Sequence, residues 1–215
     1  DFVEQIFVTS TLAHLLLFTS RGRVYGIRVF EIPDAGRTAR GKAMANFVPI
    51  DSTEKITAAI AIRSFTEGVE GYLTLCTRGG QIKKTAIAEF DSIRKSGIIA
   101  IRLDEGDILI GAKFTDGKKD IVLATASGMS IRFPEKDIRS MGRGAGGVRG
   151  IRLEAGDQVV GMEMIDSKAE KDTTLLTVCE NGYGKRTLLS EYRDQSRGGK
   201  GIITIKATDR NGAVV

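Results

Sequence analysis

Four glycine-bearing turns recur along the 215 residues, and their spacing constrains the fold more than any other feature. The turns are SRGRV around Gly22, GGQIK around Gly80, SGMSI around Gly128 and NGYGK around Gly182. Each is followed by a loop glycine, Gly41, Gly97, Gly147 and Gly201, at a distance of 19, 17, 19 and 19 residues. Successive loop glycines stand 56, 50 and 54 residues apart. A period near fifty that varies only by small loop changes marks a propeller or solenoid.

Inside each period the apolar residues come in runs and alternation, not at a helical spacing, so the repeating element is a strand. LLLFT (15–19), YLTLCT (72–77), DIVLATA (120–126) and TTLLTVC (173–179) each run into a glycine turn, the pattern of a hairpin. IIAIRL (98–103), VRGIRL (148–153) and IITIKA (202–207) read as fourth strands, after which GDILIGAKF and GDQVVGMEM open the next repeat. Four strands per unit predict an all-β propeller or pinwheel of antiparallel blades. The repeats fall at about 1–50, 51–104, 105–154 and 155–207. Residues 208–215 begin a further blade, since Ala213, Val214 and Val215 align with Gln158, Val159 and Val160. The whole chain is then one repeat domain. Twenty-six Gly against three Pro suits many tight turns between short strands.

The charges repeat with the core. Four residues after the turn glycine come Lys84, Arg132 and Arg186, with Gly26 in the first unit and Lys185 beside Arg186. Five residues after the loop glycine come Arg102, Arg152 and Lys206, with Asn46 in the first unit. Four residues before it come Arg37, Arg143 and Arg197, and the second unit has Arg94 and Lys95 nearby. Arg40, Lys42, Arg149 and Lys200 flank the same glycine loops. Residues at one place in successive blades share radius and height, so these cations are expected to form a stripe around the rim. A curved stripe of positive charge suits the backbone of a bent duplex. The net charge of +5 agrees in sign. Aromatic residues at 6% and no Trp speak against stacking on unpaired bases.

Other chemistry finds little footing. Gly142 to Gly147 contains a formal GxGxxG, but a strand pattern follows it where a dinucleotide site needs a helix. His14 is the single histidine, too few for a histidine metal cluster, and it sits in the TSTLAH turn of a sequence with no nucleophile elbow, so a Ser/His/Asp triad is not expected either. Cys76 and Cys179 each lie in an apolar run and read as reduced core residues, which suits the cytoplasm. DFVEQIFV lacks the regions of a signal peptide, and no apolar stretch reaches membrane-spanning length. Catalysis by this chain alone is not expected. A protein-interaction propeller for acidic partners is the reading from another class.

The heptapeptide Gln195-Ser196-Arg197-Gly198-Gly199-Lys200-Gly201 is the most specific local feature. Paired glycines let backbone amides approach a phosphate, and the flanking Arg and Lys supply charge-assisted hydrogen bonds. QSRGGKG resembles the gyrase A box, with Ser196 where the box has a basic residue. FTSRGRVYGIRVFEIPDAGRTARGKA (18–43) and GIITIKATDRNGAVV (201–215) resemble the same family, the C-terminal DNA-binding domains of bacterial DNA gyrase A proteins. The related domain of the topoisomerase IV C protein is the alternative within that family. The resemblance implies a β-pinwheel around which duplex DNA wraps, with the box proper upstream of Asp1. It further implies a parent type IIA topoisomerase, built from gyrase A and gyrase B proteins, that needs ATP and Mg2+ and works in the bacterial nucleoid. The cleavage and ATPase sites of that parent would lie outside this chain.

Overall fold

The computed structural model describes residues 5–65, 70–93, 96–166 and 172–215. Its strands in chain order are β1 (His14–Thr19), β2 (Arg23–Arg28), β3 (Ile56–Ile62), β4 (Tyr72–Thr77), β5 (Gln81–Ala86), β6 (Ile98–Ile99) and β7 (Leu109–Thr115). They continue with β8 (Lys119–Thr125), β9 (Met129–Pro134), β10 (Val148–Arg149), β11 (Val159–Asp166), β12 (Thr174–Val178), β13 (Gly184–Leu188) and β14 (Ile202–Ile203). No helix among the described residues is long and apolar enough to cross a membrane.

Three sheets have four strands each, in the orders β3-β1-β2-β6, β7-β4-β5-β10 and β11-β8-β9-β14, and β12 and β13 form a fourth, two-stranded sheet. Every pairing between these strands is antiparallel, and the isolated bridges Lys84 to Ser140 and Arg132 to Asp194 are parallel. In the repeat register read from the sequence, each four-stranded sheet takes its hairpin from one repeat and both flanking strands from the next. The last hairpin follows the same plan: Cys179 bridges Val214, and the Val215 amide donates to the Val178 carbonyl at 3.0 Å.

Each flanking strand has its own cause. The long apolar strands β3, β7 and β11 pack beside one another at the hub. They leave a cavity of about 220 Å³ lined by Thr57, Ala59, Gly111, Ala112, Gly161 and Met162, among others, and small side chains allow that close approach. The short strands β6, β10 and β14 lie at the opposite edge of their sheets. They are only two residues long because the chain turns at once onto the neighbouring hairpin. The amides of Ala100 and Ile101 donate to the Gly22 carbonyl, those of Gly150 and Ile151 to Gly80, and those of Thr204 and Ile205 to Gly128. Gly128 has φ +86, and a Cβ there would overlap the Ile205 carbonyl oxygen, so this contact requires glycine.

Successive sheets face each other across apolar layers. Leu16, Phe18, Leu73, Leu75, Phe90 and Ile101 fill the first, and Cys76, Ile82, Leu123, Ile131, Phe133 and Ile151 the second. Val122, Ile165, Leu189 and Tyr192 form a smaller third layer. Each large side chain so buried contributes about 1.5–3 kcal/mol. An inner sheet is therefore covered on both faces, and this decides the fate of its cations.

Candidate nucleic-acid interface

The outer edge of the molecule is a belt made of the segments around β6, β10 and β14, sewn to each other by backbone hydrogen bonds. The Arg102 amide donates to the Ala145 carbonyl at 3.2 Å, and one repeat later the Arg152 amide donates to Gly199 at 2.8 Å. The Gly198 amide donates to the Gly150 carbonyl at 2.6 Å, and the Arg197 guanidinium to the carbonyls of Asp137 (3.0 Å) and Arg149 (3.2 Å). The belt therefore runs without a break from one blade to the next.

Its outward charges are Arg102, Arg152 and Lys206, which occupy the same place just beyond the three short strands. All three are exposed, and their side chains make no hydrogen bond or ion pair among the described residues. Arg149 on β10 is exposed as well. Arg139 and Arg193 join them as exposed residues. Both stand eight positions before a loop glycine, a repeated offset that sequence reasoning missed although the sequence displays it. Lys200 is exposed and pairs with Glu154 at 2.7 Å, which holds that carboxyl below its usual range. With both side chains more than 60% exposed, the pair holds Lys200 only weakly.

Two cations of the second row, Lys84 and Arg132, do not reach the rim. Lys84 on β5 is buried: its ammonium lies 4.8 Å from the centre of the Tyr72 ring, donates to the Glu135 carbonyl at 3.2 Å and stands 3.9 Å from the buried Glu135 carboxylate. Arg132 on β9 pairs with Asp120 (2.6 Å) and Asp194 (3.3 Å) and donates to the carbonyls of Leu189 and Tyr192. Both were expected on the stripe, and both instead tie one sheet to the next, because a middle strand has a neighbouring sheet on either face. Arg186, at the same place on β13, is exposed. Lys185 donates to the Thr204 carbonyl at 3.1 Å.

Lys83, which sequence reasoning did not single out, is fully buried and donates to the Ala100 carbonyl at 2.7 Å and to the Arg143 carbonyl at 2.5 Å. Burial lowers its pKa to about 8, with Arg143 adding to the effect and Glu89 opposing it. It anchors the Gly142 to Gly147 loop from below. Arg143 is accordingly half-buried, with its amide on Glu89 at 3.2 Å. The formal GxGxxG of this loop leads into the strand β10, as the sequence pattern required.

The Gln195 to Gly201 loop is held in much the same way. The Gln195 amide donates to Arg132, the Gly198 amide is spent on Gly150, and Arg197 is turned along the belt. Ser196 is exposed and Gly199 receives the Arg152 amide, so the loop serves as a seam between repeats as well as a basic surface. Gly201 has φ +81, and a Cβ there would overlap the Ser130 carbonyl oxygen. Arg37, Arg40 and Lys42 are exposed on the segment that covers the far face of the first sheet. Arg40 and Lys42 line a cavity of about 460 Å³ against Leu15, Leu17, Met44 and Phe47, away from the outermost strands. Arg94 and Lys95 lie outside the described residues. Cys76 and Cys179 are unpaired and buried, and burial pushes the Cys76 thiol upward.

A row of antiparallel sheets that exchange edge strands, with cations on the exchanged edge, defines a β-propeller repeat protein of the pinwheel kind. The family described as "DNA gyrase C-terminal domain, beta-propeller" matches four times, over residues 13–63, 71–116, 119–166 and 173–215. The chain belongs to that family. It is 47% identical over 216 residues to the DNA gyrase A protein of Haloquadratum walsbyi and 44% identical over 215 residues to that of Escherichia coli K12. All of the chain is covered in both cases, and it spans about a quarter of those relatives' length. Among solved structures, the C-terminal domain of DNA topoisomerase IV superposes with a TM-score of 0.85 at 31% identity, covering 95% of this chain and 62% of the other. The DNA gyrase A C-terminal domain gives 0.78 at 27%, covering 96% and 65%.

Proposed function

We propose that this domain binds duplex DNA along its outer belt without reading sequence and bends it from blade to blade. The observation that carries the reading is that Arg102, Arg152 and Lys206 stand exposed at one place beyond three successive outermost strands. A row of that kind follows a phosphate backbone, and among the described residues the belt is built of two-residue strands and loops, with no helix or ribbon for the major groove. Bending a 20–30 bp site costs on the order of 1–6 kcal/mol, which several phosphate contacts offset. Under this reading the chain is the non-catalytic wrapping part of a gyrase-type topoisomerase. ATP and Mg2+ would be bound by the rest of that enzyme. The chain's protein partners are the remainder of gyrase A and the gyrase B protein, on the bacterial nucleoid.

The test is a gel shift with several duplexes of unrelated sequence. They are expected to bind alike, with affinity falling roughly 10³–10⁵-fold between about 50 and 200 mM salt if six to ten phosphates are neutralised. A flat salt response, or one strongly preferred duplex, contradicts the proposal.

A further inference from the structure

The belt carries apolar side chains as well as charge. Ile99 is 53% exposed and Ile203 is 60% exposed, each the second residue of its two-residue outermost strand. Their registers correspond: Ile99 faces Arg23, Arg149 faces Gln81 and Ile203 faces Met129. The residues before them, Ile98, Val148 and Ile202, pack into the layers between sheets, so alternation along the strand turns Ile99, Arg149 and Ile203 the other way. Three residues further on stand Arg102, Arg152 and Lys206.

A bare isoleucine on an edge strand is a liability that proteins ordinarily remove with Lys or Pro. Two at one repeated place, each three residues before an exposed cation, call for a partner that offers apolar surface beside phosphates. A duplex offers that combination in the sugars and base edges of its minor groove. Proteins that bend DNA press apolar wedges or arginines into this groove where it faces them. The middle blade has Arg149 in the isoleucine place, which is the other side chain used for the purpose.

Resting on the DNA-binding reading, we infer that Ile99 and Ile203 enter the minor groove of the wrapped duplex as apolar wedges, with Arg149 in the same role between them. The wedges set the bend, while the cations supply the salt-dependent affinity.

The experiment measures end-to-end energy transfer on a short labelled duplex at saturating protein, together with the salt dependence of binding. It compares wild type, I99T/I203T and I99R/I203R; threonine keeps the β-branched strand preference, and circular dichroism confirms the fold of each variant. The threonine pair is expected to keep the wild-type salt slope, bind about tenfold more weakly and bend the duplex less. The arginine pair is expected to keep the bend and raise the slope by about two. If wild type binds no duplex, the DNA-binding reading itself fails. If wild type binds and bends but the threonine pair bends equally and the arginine pair leaves the slope unchanged, the wedge inference is overturned and the reading stands. If wild type sediments as a dimer and the threonine pair as a monomer with the bend intact, the isoleucines join copies of the chain, and the inference is again overturned.

Discussion

Lys84 and Arg132 differ from Arg102, Arg152 and Lys206 in one respect, the strand they follow. Both sets repeat at a fixed offset from a glycine, and both look like surface charge when read along the chain. The first set sits on the second strand from the rim, inside a sheet covered on both faces, and is consumed in holding sheets together. The second sits past the outermost strand and stays in solvent. Repetition guarantees a common place, and only the layer arrangement says whether that place is wet. Lys83 and Lys84 make the point within one strand: neighbours pointing to opposite faces, both buried.

The largest effect should come from emptying the enclosed set. Lys84→Met or Arg132→Met leaves the buried Glu135 or Asp120 without its cation and should cost about 3–5 kcal/mol in chemical denaturation. Arg102→Met, beyond the outermost strand of its sheet, should stay within about 0.5 kcal/mol. Equal small losses for all three would break the distinction. Next in size, Gly128→Ala should lose about 2 kcal/mol or more in thermal unfolding, from a left-handed backbone and from displacing Ile205, just before Lys206. Gly144→Ala, which has open space around its Cα, is the control at about 0.5 kcal/mol or less.

A subtler effect belongs to Lys83. Its folded pKa of about 8 lies below the 10.5 of a free lysine, so between those values the unfolded chain holds more protons than the folded one. Stability should therefore rise with pH across that window. The neutral amine still has two hydrogens for Ala100 and Arg143, so both anchors survive deprotonation. Lys83→Met should remove the rise, seen as a flatter curve of denaturation free energy against pH from 8 to 10.5. An unchanged curve would mean that Lys83 is solvated.

The propeller was legible because glycine spacing and strand alternation are local. The partners of the strands were not. IIAIRL reads the same whether it pairs within its repeat or with the previous hairpin, and its apolar run hides the point after Ile99 where the chain turns onto Gly22. Arg102, Arg152 and Lys206 stood out by a shared offset at a place the layers leave exposed, whereas Arg149 was read only from the glycine loop it flanks. Lys84 and Arg132 were misplaced because offset alone carries no burial. The QSRGGKG loop was recognisable, but its use as a seam depended on Gly150 and Arg149, forty-eight residues back in the chain.

The central claim, that charge beyond the outermost strands and not charge within the sheets carries DNA binding, rests most directly on one salt titration. Duplex affinity is measured against salt for wild type and for the triple variant R102A/R152A/K206A. Losing three phosphate contacts should flatten the plot of log affinity against log salt by about three, lower affinity equally on all sequences and leave unfolding within about 0.5 kcal/mol per site. A triple variant with the wild-type slope would contradict the account.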